Sequence, residues 1–156
     1  MSFTVSGLAV EPFQSLFGLS EEALAERGVV RCIAKDDGRY PCRVTLEDAA
    51  PGESLLLLNY AHHDAATPYR SNHAIFVNEA ALAPRVATDQ IPPVLRDRPI
   101  ALRAYDAAGM MLWAELVLPG QDIEAAIGRG LAEPGAAYLH AHNAARGCYA
   151  ARIDRH

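Results

Sequence analysis

Apolar and polar residues alternate along most of the chain in short runs, and Gly, Pro, Asp and Asn separate the runs. Residues 2–10 place Phe3, Val5 and Leu8 in a short strand. Residues 29–35 and 41–46 read as a hairpin that turns at Asp36-Asp37-Gly38, with Pro41 at a tolerated strand start. Residues 54–60 hold Leu55-Leu56-Leu57-Leu58, a continuous apolar run that needs cover on both faces, hence a central strand. Residues 72–78 alternate, with His73, Ile75 and Val77 opposite Asn72, Ala74 and Phe76. Residues 100–106 and 110–118 form the clearest hairpin, joined by Asp106-Ala107-Ala108-Gly109.

Helical signals are short. Residues 11–17 carry Pro12 at an early helical position. Ser20 caps residues 21–27, whose first turn holds Glu21 and Glu22. Asp122 caps a helix through Leu131, with Ile123, Ile127 and Leu131 at helical spacing. Gly128 and Gly130 weaken that helix by up to about 1 kcal/mol each relative to Ala. Residues 79–83 and 94–97 read as single helical turns, and residues 84–93 as a loop. Residues 61–70 read as a polar loop in which His62 and His63 are solvated. Strands outnumber helices and hairpins can join them. The expected fold is α+β: a mainly antiparallel sheet of hairpin-connected strands, a few short helices on one side, and one domain over residues 1–156.

Composition narrows the function. With 51% hydrophobic and 21% charged residues, the chain has the makings of an ordinary globular core. A net charge of -5 without a basic block makes the chain a poor candidate for nonspecific nucleic-acid binding, and no nucleic-acid partner is expected. The apolar runs are too short to cross a bilayer, and the start lacks a signal-peptide pattern, so no membrane association is expected. Three cysteines, Cys32, Cys42 and Cys148, are too few for a disulfide framework; reduced thiols in a cytoplasm fit best. Of 14 basic residues, only Lys35 is lysine. Together with the many alanines, that points to a GC-rich bacterial genome.

Reactive side chains concentrate in residues 138–153. Read as a strand, Tyr138, His140 and His142 share one face, opposite Leu139 and Ala141. Residues 143–147 have turn composition. A loop of those five residues sets His142 opposite Cys148, His140 opposite Ala150, and Tyr138 opposite Arg152. The face then carries two imidazoles, a thiol, a phenol and a guanidinium.

Four motifs occur in order: Tyr40-Pro41-Cys42-Arg43, Leu57-Leu58-Asn59-Tyr60, Pro68-Tyr69-Arg70-Ser71-Asn72-His73-Ala74-Ile75-Phe76-Val77, and residues 138–153. Together with Leu16-Phe17-Gly18-Leu19-Ser20, they resemble a bacterial family known as domain of unknown function 1203. The resemblance implies a bacterial origin and single-domain length, and assigns no catalytic roles.

The leading expectation is a pocket for a small anionic metabolite. Arg43, Arg70, Arg146 and Arg152 lie in or beside the motifs, and Arg offers a planar fork for carboxylate or phosphate. Asn59, Tyr60 and Tyr69 would add hydrogen bonds, and His73 would position or protonate the ligand. If there is catalysis, His140 or His142 is the acid/base, and Cys148 beside His142 a nucleophile. Two further readings stand beside it. One is a metal-dependent, hydrolase-like site in which His140 and His142, their Cα atoms about 6.8 Å apart by strand rise, hold zinc with Cys148 or His73 as third ligand. The other is a non-enzymatic adaptor whose polar hairpin contacts a protein. A homo-oligomer is compatible with all three.

Overall fold

The run of four leucines does build a central strand, but in a sheet of its own. The computed structural model describes residues 1–36 and 38–156. In chain order its elements are β1 (Phe3–Ser6), α1 (Glu11–Gln14), α2 (Glu21–Ala25), β2 (Val30–Ile33), β3 (Ser54–His63), β4 (Ser71–Asn78), β5 (Val86–Thr88), α3 (Pro93–Arg96), β6 (Ile100–Tyr105), β7 (Met111–Val117), α4 (Ile123–Ala132), β8 (Tyr138–Asn143) and β9 (Tyr149–Arg155). Sheet A has six strands in the order β5-β1-β9-β8-β6-β7, and sheet B has three in the order β2-β3-β4. Every strand pairing is antiparallel. The α+β class stands, with the strands shared between two sheets.

Each sheet has its own core. Leu102, Ala104, Leu139 and Ile153 of sheet A pack with Ala126, Ile127 and Leu131 of α4 and with Val94 and Leu95 of α3. Leu56, Leu58, Ile75 and Val77 of sheet B pack with Phe13 of α1 and Leu24 of α2. The helices therefore cover two different sheets rather than one side of a single sheet. Ser20 and Asp122 cap as expected, accepting from the backbone N–H of Ala23 and Ala125.

Two sequence expectations are corrected. Residues 41–46 do not form a hairpin with β2; β2 pairs with β3, setting Cys32 against Leu55. The leucine run offers apolar partners to the first three residues of β2, with Leu57, Leu56 and Leu55 opposite Val30, Arg31 and Cys32. Residues 41–46 instead curl on themselves, Leu46 N–H bonding Cys42 O, while Arg43 N–H reaches Phe76 O of β4. The turn expected at Asp36-Asp37-Gly38 includes Asp37, which lies outside the described residues. Residues 84–93, read as a loop, contain β5, whose three residues pair with β1. A strand that short between prolines leaves no periodic signal.

The two glycines of α4 differ in surroundings. A Cβ on Gly128 would meet nothing within 4 Å, whereas one on Gly130 would sit 2.7 Å from Trp113 and 3.1 Å from Leu139. Gly128→Ala is therefore expected to stabilise the protein by up to about 1 kcal/mol through helix propensity. Gly130→Ala is expected to destabilise it by about 1–3 kcal/mol through overpacking. Urea unfolding checks both; a gain in stability for Gly130→Ala would contradict the packing of α4 on sheet A.

Candidate functional site

The β8–β9 hairpin places the imidazoles. Asn143 N–H bonds Cys148 O and Gly147 N–H bonds Asn143 O, so the loop is residues 144–147, one shorter than expected. Gly147 takes φ +80°, which a glycine adopts without strain. Tyr149 then stands opposite His142, and His140 opposite Arg152, with a register shift between. The extra residue lets Ala150 and Ala151 both join the core of sheet A, while Tyr149 and Arg152 both stay on the imidazole face. The expected His142–Cys148 pair is thereby corrected. Cys148 Sγ lies instead 3.2 Å from Arg43 Nη2 and 3.4 Å from Asn143 Nδ2.

A second irregularity brings in two more histidines. The β3–β4 register shifts between Tyr60 and His63. Both His62 and His63 then reach the imidazole face of sheet A, correcting the solvated loop expected there. His63 is only 3% exposed. Ring centroids of His62 lie 5.1 Å from His142, 6.3 Å from His140 and 5.6 Å from Tyr149, the last nearly parallel. His63 stacks on Tyr105 at 4.2 Å, and its Nε2 lies 2.9 Å from Gly109 O. Arg152 caps the Tyr138 ring at 4.0 Å, held by Asp154 at 2.8 Å.

Hydrogen bonding fixes one tautomer. His142 Nδ1 lies 2.9 Å from Gly147 O, which only accepts, so Nδ1 carries the proton and Nε2 a lone pair. The Ser71 hydroxyl lies within hydrogen-bond reach of both Tyr69 O, at 3.1 Å, and His62 Nε2, at 3.0 Å. His62 Nδ1, His140 Nδ1 and His142 Nε2 are buried and have no hydrogen-bond partner within the described chain. Among the described residues, no three His, Cys, Asp or Glu side chains stand where they could hold a metal ion without moving.

Burial sets the charge state. It pulls His140 down to about 2, with the neighbouring imidazoles adding to the effect. It pulls His142 to about 3, against the Gly147 carbonyl. It takes His62 to about 4, helped by the charge of Arg103. Imidazoles held that far below 7 make poor general acids or bases at neutral pH. At neutral pH His140 and His142 are therefore neutral lone-pair donors.

The remaining predicted residues divide. Arg43, His73, Arg146 and Cys148 line one cleft of about 610 Å³, joined there by Arg39 and Arg98. Arg43 is 3% exposed; its guanidinium donates to Tyr149 O at 2.7 Å and Pro41 O at 2.6 Å, besides Cys148. No ion pair among the described residues involves it, and burial lowers its pKa. His73 bridges the sheets, with Nδ1 3.0 Å from Ala74 O and Nε2 3.1 Å from Arg146 O. Asn59 instead bonds Asn72 on an exposed surface. Arg70 pairs with Asp64 at 3.0 Å, both exposed, and Tyr69 lies in the same exposed loop. Neither Asn59, Tyr69 nor Arg70 lines the cleft. Arg39, Arg98, His62, His63 and Tyr149 were missed. The one available signal was the alternation of Leu58, Tyr60 and His62, which carries β3 beyond its leucines.

The buried imidazoles predict a pH response. They are neutral in the folded protein, but in the unfolded chain they take up protons below about 6.5. Stability is therefore complete above that value and falls as pH drops toward the folded values. The expected loss is about 1.4 kcal/mol per pH unit for each of His140 and His142. A urea midpoint that falls between pH 7 and pH 5, and falls less in His140→Gln, bears this out; an unchanged midpoint contradicts it.

Comparison with known proteins adds one match. No curated protein and no solved structure matches the chain. A family model described as "Protein of unknown function (DUF1203)" matches residues 39–155, a span that holds both the cleft and the imidazole cluster. The chain belongs to the DUF1203 family.

Proposed function

We propose that this protein binds a small anionic metabolite in the cleft between the edge of sheet B and the β8–β9 loop. The observation that carries the reading is Arg43: a buried guanidinium that lines the cleft and has carbonyls and a thiol for partners, but no carboxylate. A buried charge without an opposite charge is costly. A carboxylate or phosphate in the cleft would supply one, and would find Arg146 and Arg39 at the exposed rim. Arg98 contributes less, because Asp48 already holds it at 2.6 Å. None of the described lining residues is acidic. The volume falls within the range of small-molecule sites, about 300–1,000 Å³.

The adaptor reading has less behind it. The exposed leucines Leu112 and Leu116 lie on β7, and β6 separates that strand from the β8–β9 hairpin.

The test is thermal unfolding and calorimetry with inorganic phosphate and with malate. A bound anion is expected to raise the melting temperature in a saturable way. Arg146→Ala and Arg39→Ala, both at exposed positions, are expected to weaken binding about tenfold or more each, roughly one charge-assisted hydrogen bond. Arg70→Ala, outside the cleft, is expected to leave it unchanged. If neither anion stabilises the protein, or if Arg70→Ala weakens binding as much as Arg146→Ala, the cleft is not the site.

A further inference from the structure

The imidazole cluster is separate chemistry from the arginine cleft. His62 comes from the end of β3 in sheet B, and His140 and His142 come from β8 in sheet A. Each carries a buried nitrogen without a partner, and the three rings meet where the two sheets face each other. His140 is 4% exposed and His142 is 0%. The fourth histidine, His63, differs: it stacks on Tyr105 and is bonded to Gly109 O, as a packing residue would be. Three unpartnered buried nitrogens thus lie together beside one satisfied histidine, and an unpaired buried polar atom is costly.

The far nitrogens sharpen the point. Gly147 O fixes the lone pair of His142 on Nε2, and Ser71 Oγ holds His62 at Nε2. A backbone or hydroxyl group that holds the far nitrogen of an imidazole is the usual support of a metal ligand. The spacing is close to what an ion requires. Zinc–nitrogen bonds of about 2.0–2.1 Å in tetrahedral array set ring centroids about 5 Å apart. The His62–His142 pair stands at 5.1 Å, and His140 at 6.1 Å from His142 and 6.3 Å from His62. One ring, His140, has to swing inward by about 1 Å to close the set, an amplitude well within side-chain motion.

We infer that His62, His140 and His142 form a three-imidazole site for a first-row transition-metal dication of the zinc class. The ligand set is all nitrogen, which suits zinc, copper, iron and nickel rather than calcium or magnesium. It is also uncharged, and Arg103 lies opposite His140 in the β6–β8 register. The fourth position therefore favours an anionic ligand such as hydroxide. This set replaces the Cys148 or His73 considered from sequence as third ligand. Cys148 is turned to Arg43, and both His73 nitrogens face backbone carbonyls, at 3.0 and 3.1 Å.

The experiment uses the full chain, stripped of metal, titrated with Zn²⁺ and with Co²⁺. One equivalent is expected to bind at micromolar or tighter concentration, Co²⁺ giving the intense visible absorption of a tetrahedral site. His62→Gln and His140→Gln are each expected to weaken binding at least 100-fold, while Arg146→Ala binds metal normally, so failure of the anion cleft and failure of this site are told apart. Since the histidine variants could fail to fold, imidazole ¹⁵N spectra of the wild-type protein give a second readout. Zinc is expected to move His62 Nδ1, His140 Nδ1 and His142 Nε2 and to leave the ring nitrogens of His63 in place. Binding weaker than millimolar, unaltered binding in His62→Gln, or zinc shifts confined to His73 or His156 would overturn the proposal.

Discussion

Arg43 ties the molecule together at the point where function is proposed. Its backbone N–H joins the edge of β4, while its side chain crosses to the Tyr149 carbonyl at the start of β9 and to Cys148 beside it. One guanidinium thus links the two sheets and fixes where the β8–β9 loop sits. That loop walls the cleft, and its Gly147 carbonyl orients His142. Such a clamp holds only while the arginine stays buried, and there the positive charge has little else to balance it. Placement and electrostatic demand come from the same group.

The seam beyond the clamp is built from rings. Sheet A turns Tyr138, His140, His142 and Tyr149 toward His62 and His63 of sheet B. Rings of this kind bury large area while keeping polar edges, so they can join two sheets and still present lone pairs. Burial keeps the imidazoles neutral, which suits them to coordinate rather than to transfer protons. The arginine cleft and the imidazole seam meet at His73, which reaches from β4 to the Arg146 carbonyl.

Much of this was legible in the chain. The leucine run, the residue 100–118 hairpin, the caps at Ser20 and Asp122 and the alternation of Tyr138, His140 and His142 all follow from local rules, and local rules held. What escaped is what depends on distant partners. The bulge in β9 arises because Ala150 and Ala151 both fit the sheet A core, a fact no hairpin rule contains. The loop before it, one residue shorter than its composition suggests, moved Cys148 from His142 to Arg43. The bulge in β3 likewise turned His62 and His63 inward from what reads as a polar loop. Arg70 and Asn59 show the converse: their motif residues were conspicuous, yet exposed partners on their own surface account for them.

The most direct measurement is the guanidinium ¹⁵N–¹H resonances of Arg43, followed while inorganic phosphate is titrated into the protein. A charge completed by an anion in the cleft predicts a saturable shift at Arg43 and at Arg146, with little change at Arg152, which Asp154 already neutralises. An Arg43 signal that stays fixed, or drifts in proportion to ionic strength together with Arg152, would contradict it.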